Sequence, residues 1–215
     1  MRICLLLGFA LLWGSCNPED LPKGERYEVT FTSLWTPANH PDDYPDNAHF
    51  SRAVGMTHTA GSSFFLPGDL ASEGVKVMAE TGDVEPLDSE LQALVDQGDG
   101  LDLIVGERLP EGTTSASFTI AADEDHAFVS LVSMLAPSPD WFVAVENIAL
   151  RENGEWIESI TVQASTYDAG TDSGTSFASD NLATSPAESI YIPVSSPTGD
   201  GAEPYVFATF TFKRM

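Results

Sequence analysis

Positive charge and cysteine are scarce in this chain. Nine Lys and Arg stand against 33 Asp and Glu in 215 residues, a formal net charge of −24. So acidic a surface repels phosphate backbones, which excludes nucleic acid as a partner class, and it disfavours anionic glycans and headgroups. It favours cations, and it also suits salty surroundings or simple solubility. The two cysteines, Cys4 and Cys16, both precede residue 17, so no disulfide framework is available to the rest of the chain. Long apolar runs are missing too: beyond the first residues, no stretch is apolar enough to cross a bilayer as a helix. There is no HExxH, no GxSxG elbow, no P-loop and no GxGxxG. What remains is ordinary for a folded protein, with 42% apolar and 20% charged residues. The length makes one domain the default and allows a full core without staples.

The first residues read as an address. Arg2 precedes an apolar run over residues 3–13, too short to span a membrane but suited to a signal-peptide core. The run ends in Leu12-Trp13-Gly14-Ser15-Cys16, which resembles the lipobox of bacterial lipoproteins. The resemblance implies cleavage before Cys16 and lipidation of its thiol, with residues 1–15 removed. Trp13 departs from the small aliphatic residue usual there, and an ordinary secretory signal with an incidental cysteine is the alternative. Residues 16–25 are polar and Pro-bearing and read as a tether. Such a leader implies export to a bacterial cell envelope, and Asn17 favours the outer membrane over the inner. Residues 26–215 are then the domain.

Within that domain, Tyr27, Val29 and Phe31 alternate with polar residues, so residues 26–34 predict a half-buried strand. Residues 48–56 form a second apolar stretch. Residues 70–80 and 87–95 have helical spacing, the second stopped at Gly98-Asp99-Gly100. Residues 115–121 and 126–135 read as strands joined by an acidic turn. Residues 141–147 and 156–163 flank Asn153-Gly154, a dipeptide suited to a two-residue hairpin. Residues 205–212 alternate cleanly and close the domain. Six or more short strands with Gly and Pro turns predict an all-β fold, an antiparallel β-sandwich with two short helical insertions.

Two loops carry the candidate chemistry. One is Ser138-Pro139-Asp140-Trp141; the other is Tyr167-Asp168-Ala169-Gly170-Thr171-Asp172-Ser173-Gly174. In the second, two carboxylates lie four residues apart across a glycine that can fold the loop back. Like charges held close repel unless a cation sits between them, and calcium accepts six to eight oxygens of this kind. Merely solvated Asp/Gly turns are the alternative. The strings SPDW and YDAGTDSG, with Tyr27-Glu28-Val29-Thr30-Phe31, His49-Phe50-Ser51, Thr57-His58 and residues 71–75 in order before them, resemble the spondin N-terminal domain family. The resemblance covers roughly residues 26–212. It implies a C2-like antiparallel sandwich with a calcium ion (Ca2+) bound at one edge, held by Asp140, Asp168 and Asp172. The chain departs from animal members in lacking cysteines in the domain and thrombospondin repeats after it, and in its lipoprotein-type leader. Integrin or matrix binding is therefore not carried over.

Other candidates are weaker. His40, His49 and His58 invite a zinc reading, but even spacing does not bring three rings together, and structural roles are expected. Asp42, Asp43 and Asp46, and Asp96, Asp99 and Asp102, are acidic loops of the solvated type. Trp35, Trp141 and Trp156 are expected in the core. The functional expectation is a non-enzymatic, calcium-binding envelope lipoprotein, an adhesion or recognition module for an unknown surface or extracellular ligand. The alternatives are an envelope hydrolase acting on polysaccharide or lipid, for which no acid or base stands out, and a structural surface protein that calcium only stiffens.

Overall fold

A computed structural model describes residues 23–109 and 112–215. The leader, the lipobox and Cys16 lie outside the described residues. Twelve strands and two helices follow in the order β1 (Glu25–Ser33), β2 (His49–Phe50), β3 (Val54–His58), α1 (Glu73–Thr81), α2 (Leu87–Gln97), β4 (Gly100–Val105), β5 (Ser115–Ala122), β6 (Phe128–Ala136), β7 (Trp141–Ala149), β8 (Arg151–Glu152), β9 (Glu155–Trp156), β10 (Ser159–Gln163), β11 (Ser165–Asp168) and β12 (Ala208–Arg214). One sheet has the order β10-β12-β1-β5 and the other β11-β7-β6-β3-β4, with β2 beside β6. Every pairing is antiparallel. The all-β sandwich with two helical insertions is thus observed.

The two sheets read differently in sequence because they are buried differently. In β1 and β12 apolar residues alternate with polar ones, and the outer face carries threonine and serine ladders such as Thr30 Oγ1 to Ser117 Oγ at 2.8 Å. In β6 both parities are apolar. Val129, Leu131 and Leu135 meet Tyr27, Phe31, Phe210 and Phe212 of the opposing sheet. Val132, Met134 and Ala136 turn to the other side and pack with Val75, Met78, Leu87 and Leu91 of the helices. The helices therefore cap the second sheet's outer face. Ser72 starts α1, its hydroxyl accepting from Val75 N at 3.1 Å, so Leu70 stays outside the helix and exposed.

Two expectations shift. Strand β4 follows directly on the Gly98-Asp99-Gly100 turn, where no strand is predicted from the sequence. The Asn153-Gly154 turn forms, with φ of 52° and 86°, but joins only β8 to β9. The flanking long strands part company, β7 staying in one sheet and β10 crossing to β12 in the other.

The sandwich has two poles. At one, Tyr27 near the start of β1 donates its hydroxyl to Leu150 O and Ile157 O, at 3.2 and 2.8 Å. At the other, Trp35 just beyond β1 and Trp141 at the start of β7 both pack on Phe177, with ring centroids 5.0 and 5.3 Å apart. The chain enters β1 at the first pole; the loops with the candidate acids crowd the second.

Candidate metal centre at the loop pole

Asp140 immediately precedes β7 and Asp168 ends β11, and Asp168 is the register partner of Trp141. Antiparallel pairing thus sets the two acids at one sheet end, and Ala169 N donates to Asp140 O at 3.2 Å. Ser138 shapes the approach, its hydroxyl accepting from Trp141 N at 3.1 Å. Asp140 is fully buried and Asp168 is 4% exposed.

The loop after β11 folds around these carboxylates. Gly170 takes φ +73°, and a Cβ there would lie 2.3 Å from Glu188 O, so only glycine fits both backbone and space. Its amide donates to Asp168 Oδ1 at 2.8 Å. Asp140 Oδ2 then collects three donors: Thr171 N at 2.7 Å, Thr171 Oγ1 at 3.1 Å and Asp172 N at 3.0 Å. Asp140 Oδ1 is buried with no hydrogen-bond partner. Asp168 Oδ2 accepts from the Trp141 indole at 3.0 Å and from Tyr191 OH at 2.9 Å. Asp172 turns its carboxylate to the loop itself, accepting from Gly174 N at 2.7 Å and Leu182 N at 2.8 Å.

Burial pushes the Asp140 carboxyl up to about 6, and the neighbouring Asp168 charge adds to the rise against the three loop donors. Burial also raises Asp168, opposed by Gly170, Tyr191 and Trp141 and reinforced by Glu188. Burial and then Asp168 raise Tyr191, so its phenol stays a donor. Asp168 and Asp172 line one small cavity of about 210 Å³ together with Glu188 and Tyr191; no Lys or Arg is among its lining residues.

The structure therefore sets Asp140 beside Asp168 and orders both with the Asp172 loop. Among the described residues, no three His, Cys, Asp or Glu side chains lie close enough together to hold a metal unaided. Tyr191 and Glu188 belong to this pole but carry no motif.

The remaining candidates fall apart as sites. His58 is buried, with Nδ1 2.8 Å from Thr59 O and Nε2 2.9 Å from Ser130 Oγ. The ring thus donates at Nδ1 and accepts at Nε2, and burial lowers its pKa. His40 stacks on Phe207 at 4.3 Å, and His49 is exposed with Nδ1 2.7 Å from Asn47 O. Asp42, Asp43 and Asp46 are exposed. Asp96 accepts from Gln92 and Asp99 from Ser62, while Asp102 is buried and accepts from Ala121 N. Trp35 and Trp141 are core residues, and Trp156 is partly buried with the Arg151 guanidinium 5.1 Å from its ring centroid.

A two-sheet antiparallel domain with helices on one face and an acidic loop pole is the class defined here. The family model Spondin_N matches residues 25–209, and the chain belongs to that family. It is similar to Spondin-2 of Rattus norvegicus, 33% identical over 178 residues that cover 80% of this chain and 54% of that protein. It is 33% identical to Spondin-2 of Homo sapiens over 85% of this chain and 56% of that protein. With Spondin-1 of Homo sapiens it shares 32% identity over 77% of this chain and 21% of that protein. The chain thus spans about half the length of the Spondin-2 proteins it matches.

Proposed function

We propose that this chain is an exported, non-enzymatic recognition module whose loop pole is organised by a calcium ion. The observation that carries the reading is Asp140: a fully buried carboxylate with one oxygen unpartnered, beside a second buried carboxylate. Two buried like charges are costly, and a divalent cation offsets both. Asp140 and Asp168 would hold the ion. Asp172 keeps its loop closed through Gly174 and Leu182 and has lone pairs left to offer, and backbone carbonyls would complete the six to eight oxygens calcium takes. When bound, the ion supplies positive charge and rigidity, not an acid or a base.

Membership of the spondin family supports the non-enzymatic reading. So does the fate of the Ser130 and His58 pair, which is fully buried and whose ring proton goes to a backbone carbonyl. Lipid anchoring at Cys16, with the domain held on a bacterial outer membrane, is part of the proposal and rests on the leader alone. The test is a melting curve of the purified domain in calcium and in chelator. A higher Tm in calcium is expected; identical curves overturn the metal.

A further inference from the structure

The loop pole is apolar as well as acidic. Of the six exposed large hydrophobic residues among the described residues, Leu66, Leu70, Leu182, Tyr191 and Ile192 belong to its segments, at 41, 64, 62, 45 and 42% exposure. Backbone bonds hold these segments together. Leu70 bridges Ser189, Ile190 N donates to Asp69 O at 2.8 Å, and Tyr191 bridges Asp168. Leu182 is fixed through its amide to Asp172. A trough of about 380 Å³ runs along Trp141, Tyr191, Ile192, Pro193 and Val194, and it adjoins the acidic cavity through Asp168 and Tyr191, which line both.

The charge of this region has one sign. Between residues 152 and 212 there is no Lys or Arg, and the loops carry Asp168, Asp172, Asp180, Glu188, Asp200 and Glu203. An anionic lipid surface is repelled by such a pole. A second copy apposed through the same face would set acid against acid. The chain also enters β1 at the opposite pole, so the start of that strand lies at the far end of the sandwich from this face.

We propose that this pole docks a segment of a partner protein that carries a lysine or arginine beside an apolar side chain, the apolar group in the trough at Tyr191–Val194 and the cation at Glu188. The proposal deepens the recognition reading above and rests on it; Glu188 is exposed and is not one of the two carboxylates assigned to the ion. Apolar burial gives affinity, and the acidic rim gives the sign of charge that is accepted.

The test is selection of random dodecapeptides on the full domain in calcium. Expected are sequences with Lys or Arg next to Leu, Ile or an aromatic residue, bound at least about tenfold more weakly by Ile192→Ser and by Glu188→Gln. Both side chains are exposed, so both variants should melt as the parent does. Selected peptides without basic residues, or unchanged affinity in both variants, overturn the proposal. Sedimentation with phosphatidylcholine vesicles that is lost in Ile192→Ser also overturns it, assigning the pole to lipid. The two readings fail separately: peptide binding without a calcium-dependent Tm removes the metal and keeps the docking surface, and the reverse removes only the docking surface.

Discussion

Asp140 and Asp168 are neighbours because Trp141 and Asp168 are register partners across β7 and β11. The contact is built into the sheet and does not depend on loop conformation alone. Without a cation it is a liability, since burial and mutual repulsion act in the same direction.

Asp140→Asn should therefore change sign with calcium. The amide keeps an acceptor for the Thr171 and Asp172 donors and removes one charge. In chelator the variant should melt at or above the wild-type temperature. At calcium about a hundredfold above Kd, linkage should stabilise the wild type by about 2.7 kcal/mol, an expected rise of roughly 5–11 °C for a domain of this size. That rise should vanish in the variant. Calorimetry in the two buffers measures it.

Gly170→Ala should disrupt the loop pole and spare the rest of the sandwich. The positive φ costs an alanine about 1 kcal/mol, and a Cβ 2.3 Å from Glu188 O forces the backbone apart. A loss of about 2–3 kcal/mol is expected in urea unfolding. Tryptophan fluorescence should report the change, because Trp141 sits against Asp168.

Glu90→Ala should loosen the two helices from each other. The Glu90 carboxylate accepts from Ser72 Oγ at 2.6 Å and from Gly74 N at 2.8 Å, so α2 caps the start of α1. Removing it leaves two part-buried donors without that acceptor, at a cost of about 1–3 kcal/mol. Amide exchange should rise first at Gly74 and Val75.

His126 should stabilise the domain in acid and not in base. Nδ1 lies 2.8 Å from Asp123 Oδ1 and Nε2 lies 3.1 Å from Gly98 O. Both partners are acceptors, so only the charged ring satisfies both. Burial lowers its pKa, but the bonds to Asp123 and Gly98 outweigh burial and the net shift is upward. A raised folded value means full stabilisation below the unfolded pKa of about 6.5, lost as pH rises through the folded value. The Tm gap between wild type and His126→Gln should thus be widest near about pH 5.5 and close on the alkaline side.

The strands with one wet face were legible, because Tyr27, Val29 and Phe31 announce their period directly. The helices were legible as well, with ends set by Ser72 and by Gly98 at φ +87°. Strand β4 was not: Gly100 and Asp102 are poor strand formers, and Asp102 is tolerated only because Ala121 N donates to it. The partner of the Asn153-Gly154 turn was misread because a dipeptide fixes a turn and says nothing about how far pairing continues. At the loop pole, SPDW and DAGTDSG marked the family and the acids together. Tyr191 and Glu188 were not legible, because their places depend on a bridge to Asp168 and a backbone bond to Gly170 that no local pattern encodes.

Strand β1 lies between β5 and β12 and is paired along nearly its whole length on both sides. Tension between the segment before Glu25 and a ligand gripped at the far pole would run along this strand, across its hydrogen bonds. Those bonds would then share the load in shear instead of unzipping one after another. Such an arrangement would resist pulling along β1 better than peeling across it.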